Sequence, residues 1–181
     1  MTNIDLSGYV GESDTHNGFT IEIHHDDLMG APWDEHDGHG IVSDWTRREK
    51  QPGERVLCDD HGFRRFYDVR ASLAIAKRDG WDAEPYGTGT KGQRAARAVE
   101  ADFQHLRGWC NDDWCWIGIV VTHDETGDTE SLWGIESNSG EYLNEVAREL
   151  IAEIQARIDE MSLYGGDGLA QLAALIAILS K

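Results

Sequence analysis

Two apolar stretches restrict the fold more than any other feature of this chain: Trp114-Cys-Trp-Ile-Gly-Ile-Val-Val-Thr122 and Ser131-Leu-Trp-Gly-Ile-Glu136. The first is dominated by β-branched and aromatic side chains, which pack well on a pleated surface, and the polar region His123 to Glu130 separates it from the second. The pattern predicts a hairpin at the centre of an antiparallel sheet. Upstream, Phe19, Ile21 and Ile23 alternate with polar neighbours as far as His25, as in a half-buried strand, and Gly18 opens the run. A second, shorter hairpin is predicted from Arg55–Asp59 and Phe63–Tyr67, which flank the turn-like Asp60-His-Gly62.

Helical spacing fills the remaining patterned segments. Asp68 is placed to cap a helix carrying Val69, Leu73 and Ala76 and ending at Gly80. A connector over 86–92 precedes a second helix, from about Gln93, with Ala95, Val99, Phe103, Leu106 and Cys110 on one face. Ser139 is expected to cap a long helix with Tyr142, Val146, Leu150, Ile154, Ile158 and Met161 as its apolar stripe. Gly165-Gly166 is expected to break that helix, and Asp167 to start a last one, apolar on nearly every side. These elements predict an α+β fold, a small antiparallel sheet packed against several helices. At 181 residues the chain is expected to be a single domain, 1–181.

Residues 26–53 show no period and are rich in His, Asp, Gly and Trp, so they read as an irregular loop. Loops of that length in a domain are functional or pinned by a few anchors, and Trp33 and Trp45 are the anchors available.

Charge narrows the range of partners. The 34 acidic residues outweigh 16 basic ones, a net charge of -18. Met1–Asp60 carries net −10 and residues 111–181 carry −11, with a slightly basic middle of +3. Such a field repels nucleic acid and anionic membrane and attracts basic protein surfaces. No apolar run approaches the roughly 20 residues that span a bilayer, and the amino terminus has no basic region followed by an apolar one. Three cysteines, Cys58, Cys110 and Cys115, form no dense framework, so reduced thiols in a cytoplasm are expected.

Catalytic chemistry is weakly signalled, and no catalytic residue is assigned. His24, His25, Asp26, His36 and His39 are candidate ligands for zinc or another divalent metal, since imidazole and carboxylate together suit such ions. A second metal reading joins Cys58, His61, Cys110 and Cys115, although the cysteines also fit as small buried side chains. No Gly-x-Ser-x-Gly elbow occurs, and Gly87-Thr-Gly-Thr-Lys-Gly92 lacks the spacing of a phosphate loop. No cofactor is assigned beyond that metal. For recognition of a partner, the candidates are Trp33 and Trp45 with Asp34, Glu35 and Asp37, and the row Glu141, Glu145, Glu149 and Glu153 repeating every four residues. Leu169, Leu172, Leu175, Ile176 and Leu179 are candidates for homodimerisation.

The words Gly30-Ala-Pro-Trp33, Glu35-His-Asp-Gly-His-Gly40, Val42-Ser-Asp-Trp45, Arg107-Gly-Trp-Cys-Asn-Asp-Asp-Trp114 and Leu132-Trp-Gly-Ile-Glu-Ser137 occur in that order. In these the chain resembles a family of small, acidic, uncharacterised bacteriophage and prophage proteins, from about Thr20 to Ile158. The resemblance brings no activity and no catalytic residues. It implies an accessory product acting in the cytoplasm of the infected bacterium. With the charge, this gives the expected function: an acidic protein that binds a basic host protein, as an anti-defence inhibitor or nucleic-acid mimic. The alternatives are a metal-dependent enzyme built on the His/Asp-rich loop and an oligomeric phage regulatory protein.

Overall fold

The computed structural model describes residues 4–81 and 88–179, with side chains as far as residue 162. The chain forms two compact units, Met1–Asp26 with Trp116–Lys181 (unit 1) and Asp27–Cys115 (unit 2). The fold is mixed α+β, with small antiparallel sheets packed against helices, as expected.

Unit 1 is a four-stranded antiparallel sheet and one long helix. Strands β1 (Ser13–His16) and β2 (Phe19–His25) form an edge hairpin around Asn17-Gly18, both with positive φ. Strand β2 pairs along its whole length with the second apolar strand, Trp116–His123, which pairs in turn with Thr129–Glu136, giving the order 1-2-6-7 when all strands are counted along the chain. The predicted central hairpin therefore exists, with its second strand at the sheet edge. Strand alternation sends Phe19, Ile21, Ile23, Ile117, Ile119 and Val121 to one side, where all are buried. The long helix Glu141–Leu179 contacts the strands Trp116–His123 and Thr129–Glu136 and buries Leu143, Val146, Ala147, Leu150 and Ile154.

That stripe corrects the expected one at both ends. Tyr142 and Met161 are exposed, and Leu143 and Ala147 take the inner positions. The helix also continues through Gly165-Gly166 without a break, because glycine weakens a helix interior without forbidding it. Ser139 is not a side-chain cap: its hydroxyl donates to the Glu136 carbonyl. The amino-terminal segment, for which no structure was expected, is held by the Leu6 amide, which donates to the buried Asn144 Oδ1 at 2.8 Å.

Unit 2 holds the short helix α1 (Pro32–Glu35), strands β3 (Ile41–Val42), β4 (Glu54–Asp60) and β5 (Phe63–Asp68), and helices α2 (Val69–Asp79) and α3 (Lys91–Cys110). The strands form an antiparallel sheet in the order β3-β5-β4. His61 and Gly62, both with positive φ, make the two-residue turn that the strand twist favours. Asp68 caps α2 by accepting from the Ala71 amide, and Gly80 ends it in the left-handed conformation, both as read from sequence. Thr90 and Gln93 form a capping box at the start of α3. Leu57, Tyr67, Ala76, Ala95, Val99, Phe103 and Leu106 pack as one buried cluster, with Trp33, Val42 and Trp81 against its edge.

Two sequence expectations are overturned in unit 2. Residues 26–53 are not wholly irregular: Pro32 starts a helical turn, Ile41–Val42 pairs with β5, and Thr46 bridges Arg64. Cys58 and Cys110 are joined by a disulfide, where reduced thiols were expected. The β4 position of Cys58 and the last turn of α3 meet on the core, with Cα atoms 5.4 Å apart. Cys115 lies outside this disulfide.

Candidate functional site

The segment 36–40 is where the candidate residues come closest to forming a site. Gly40 lies so tightly against β5 and α2 that a Cβ there would stand 2.2 Å from the Tyr67 hydroxyl and 2.4 Å from the Ser72 hydroxyl, so only glycine fits. This approach delivers the preceding His39 to α3. Its Nδ1 lies 2.7 Å from Asp102 Oδ1, and the Asp102 Oδ2 accepts from the Gly40 amide at 2.8 Å and from the Tyr67 hydroxyl at 2.6 Å. The Tyr67 ring is fully buried. Loss of water, and then the hydrogen bond to Asp102, push its phenol far above the ordinary range, with Ser72 acting weakly in the other direction. Tyr67 therefore keeps its proton and serves Asp102 as a donor.

One turn further along α3, the His105 ring stacks on Trp114 with centroids 4.6 Å apart and lies 6.2 Å from the ring of His39. The Trp114 indole N–H donates to the His105 carbonyl, so Trp114 closes the end of α3 and does not begin the strand that follows, as had been expected. Asp37, His39, Trp81, Asp102 and His105 line a cavity of about 460 Å³. His39 was a candidate on sequence; Asp102, His105, Tyr67 and Trp81 were not. For Asp102 and His105 the signal was their helical i, i+3 spacing, which puts both on one face of α3; Tyr67 and Trp81 carried none.

The five candidate metal ligands are not assembled. Among the described residues no group of three or more His, Cys, Asp or Glu side chains is arranged to hold a metal ion. His24 and His25 are exposed and point to opposite sides of β2, as successive strand residues must. Asp26 is buried and accepts from the Gly134 amide at 3.0 Å, which ties the end of β2 to the edge strand. His36 is exposed and His39 is bound to Asp102. In the alternative set, the disulfide uses Cys58 and Cys110, and the His61 side chain is fully out in solvent.

The partner-binding candidates divide. Trp33 packs against the core of unit 2 and edge-on to Trp109, with its indole N–H buried and without a partner, so it is an anchor and not a contact surface. Trp45 is 45% exposed. The Arg65 guanidinium lies 5.3 Å from the ring centres of both tryptophans, joining the partly buried ring to the exposed one. Asp34, Glu35 and Asp37 are exposed, with the Glu35 carboxylate accepting from the Gly30 amide.

On the long helix of unit 1, Glu141 is engaged by Asn144 and Arg148, which hold its carboxyl below the ordinary range. Glu145, Glu149 and Glu153 are exposed and have no ion pair among the described residues. Unit 1 contains 17 acidic and 3 basic residues, net −14; unit 2 contains 17 and 13, net −4. The side chains of Leu169, Leu172, Leu175, Ile176 and Leu179 lie outside the described residues. No helix among the described residues is long and apolar enough to cross a membrane. No family model, curated protein or solved structure matches the chain.

Proposed function

We propose that this chain is a phage-encoded acidic accessory protein that acts by binding a basic host protein in the bacterial cytoplasm, as an anti-defence inhibitor or nucleic-acid mimic. The observation that carries the reading is the uneven charge: unit 1 holds 17 acidic residues against 3 basic ones. Its long helix presents Glu145, Glu149 and Glu153 to solvent at intervals of about 6 Å along the axis. Carboxylates without intramolecular partners keep their full field for an incoming cationic surface, which raises the rate and specificity of encounter.

Capture from infected cells with the wild-type chain and with the triple variant Glu145→Gln, Glu149→Gln, Glu153→Gln tests this. A lysine- and arginine-rich protein is expected on the wild type, and purified complex should weaken steeply between about 0.1 and 0.5 M salt. Equal capture by the triple variant, or affinity indifferent to salt, overturns the reading. The compartment has its own test, since a structural disulfide belongs to oxidising surroundings. Rapid thiol labelling during lysis should mark all three cysteines in a reducing cytoplasm and Cys115 alone where the bond stands.

A further inference from the structure

We infer that the unit 2 cavity is a binding site for a guanidinium group. Unit 2 holds 13 of the chain's 16 lysines and arginines, yet none is among the described residues lining the cavity; those with charge or titratable rings are Asp37, Asp102, His39 and His105. Among the described residues, the groups of fixed charge that line the cavity are carboxylates, which accept.

The hydrogen bonds fix what those acceptors are. An ionised carboxylate can only accept, so the His39 Nδ1 facing Asp102 at 2.7 Å carries a proton, and Nε2 is on the side of the ring turned away from Asp102. No described residue hydrogen-bonds that Nε2. Asp102 itself already takes three donors, from His39, Gly40 and Tyr67, and its role is to hold His39 in place. Asp37 is exposed and has no hydrogen bond or ion pair among the described residues, leaving its carboxylate open to a cation. Trp81 supplies an aromatic wall, half-buried against the core.

A planar cation rich in N–H donors complements the carboxylate and the indole. It stacks on the ring and donates to Asp37. Among the described residues, anions meet two carboxylates and no lysine or arginine there, and a metal ion finds no three convergent ligands. About 460 Å³ is the size of a small-ligand cavity and accepts a guanidinium on an alkyl stem. The group has two sources, a free small molecule or an arginine side chain displayed by a protein.

Calorimetric titration separates them, using agmatine, a short peptide with one arginine, and citrulline, whose urea has the shape without the charge. Saturable binding of agmatine or the arginine peptide with Kd at or below about 1 mM is expected, with citrulline silent. Tighter binding of agmatine assigns a free ligand; tighter binding of the peptide assigns a displayed arginine. Asp37→Asn, which removes a charge from an exposed side chain, should weaken binding about tenfold with the fold intact by circular dichroism. Trp81→Ala should weaken it as well, and the Glu145, Glu149, Glu153 triple variant should bind like wild type. No saturable binding by either cation, an equal response to citrulline, or undiminished binding by Asp37→Asn overturns the assignment.

Discussion

At the residue scale, Asp102 of unit 2 holds three hydrogen-bond donors at once. Its carboxylate gathers a loop imidazole, a loop amide and a core phenol, so one residue of α3 fixes the path of 36–40. Tyr67→Phe deletes the phenol and leaves a largely buried carboxylate oxygen one donor short. A loss of about 2 kcal/mol, measured by urea unfolding, is expected, since the bond is to a charged group. Arg48 and Glu54 form a two-pronged pair at 2.7 and 2.5 Å. The Arg48 hydrogen bond, helped by the Gln51 amide, holds the Glu54 carboxyl below its ordinary range. A carboxyl depressed in the folded state stabilises the fold fully above its unfolded pKa, about 4.3, and that contribution fades as pH falls through the folded value. Unfolding midpoints between about pH 6 and pH 3 should therefore drop less steeply in Glu54→Gln than in wild type.

At the element scale, the disulfide joins β4 to the last turn of α3, closing a loop with a sequence separation of 52. Chain entropy for a loop of that size gives about 4 kcal/mol of stabilisation. Reduction, or Cys58→Ala with Cys110→Ala, is expected to lower the thermal midpoint by a corresponding amount, read by near-ultraviolet circular dichroism with and without dithiothreitol. Most elements were legible because their signals are local: alternation in Phe19–His25, the Asp68 cap and Gly80 stop of α2, and the helical stripe from Ala95 to Leu106. The β1 strand was not legible. Ser13–His16 is a polar edge strand that owes its existence to register with β2 and not to its own pattern. The Cys58–Cys110 pair and the Asp102 triad of donors share that character. Each depends on residues far apart in sequence, and in a chain this acidic one more aspartate carries no signal.

At the scale of the whole molecule, net negative charge proved to belong mainly to one unit, although each holds 17 acidic residues. Unit 1, assembled from both ends of the chain, holds only 3 of the 16 basic residues, so its carboxylates go largely unbalanced. The pairing of His25 with Ile117 gives this arrangement a further consequence. Antiparallel partners have Cα atoms about 5 Å apart, so the chain leaves unit 1 and re-enters it at almost the same point. Residues 27–115 are thus an insertion at a hairpin tip, and a turn of about two to five residues could replace them without moving either strand. Such an excised chain is expected to unfold cooperatively with the β-sheet and helix signature of unit 1; a disordered product would show that the sheet depends on the inserted residues. During synthesis the order is also imposed: β2 must wait, unpaired on its inner side, until the entire insert has been made and its neighbour follows.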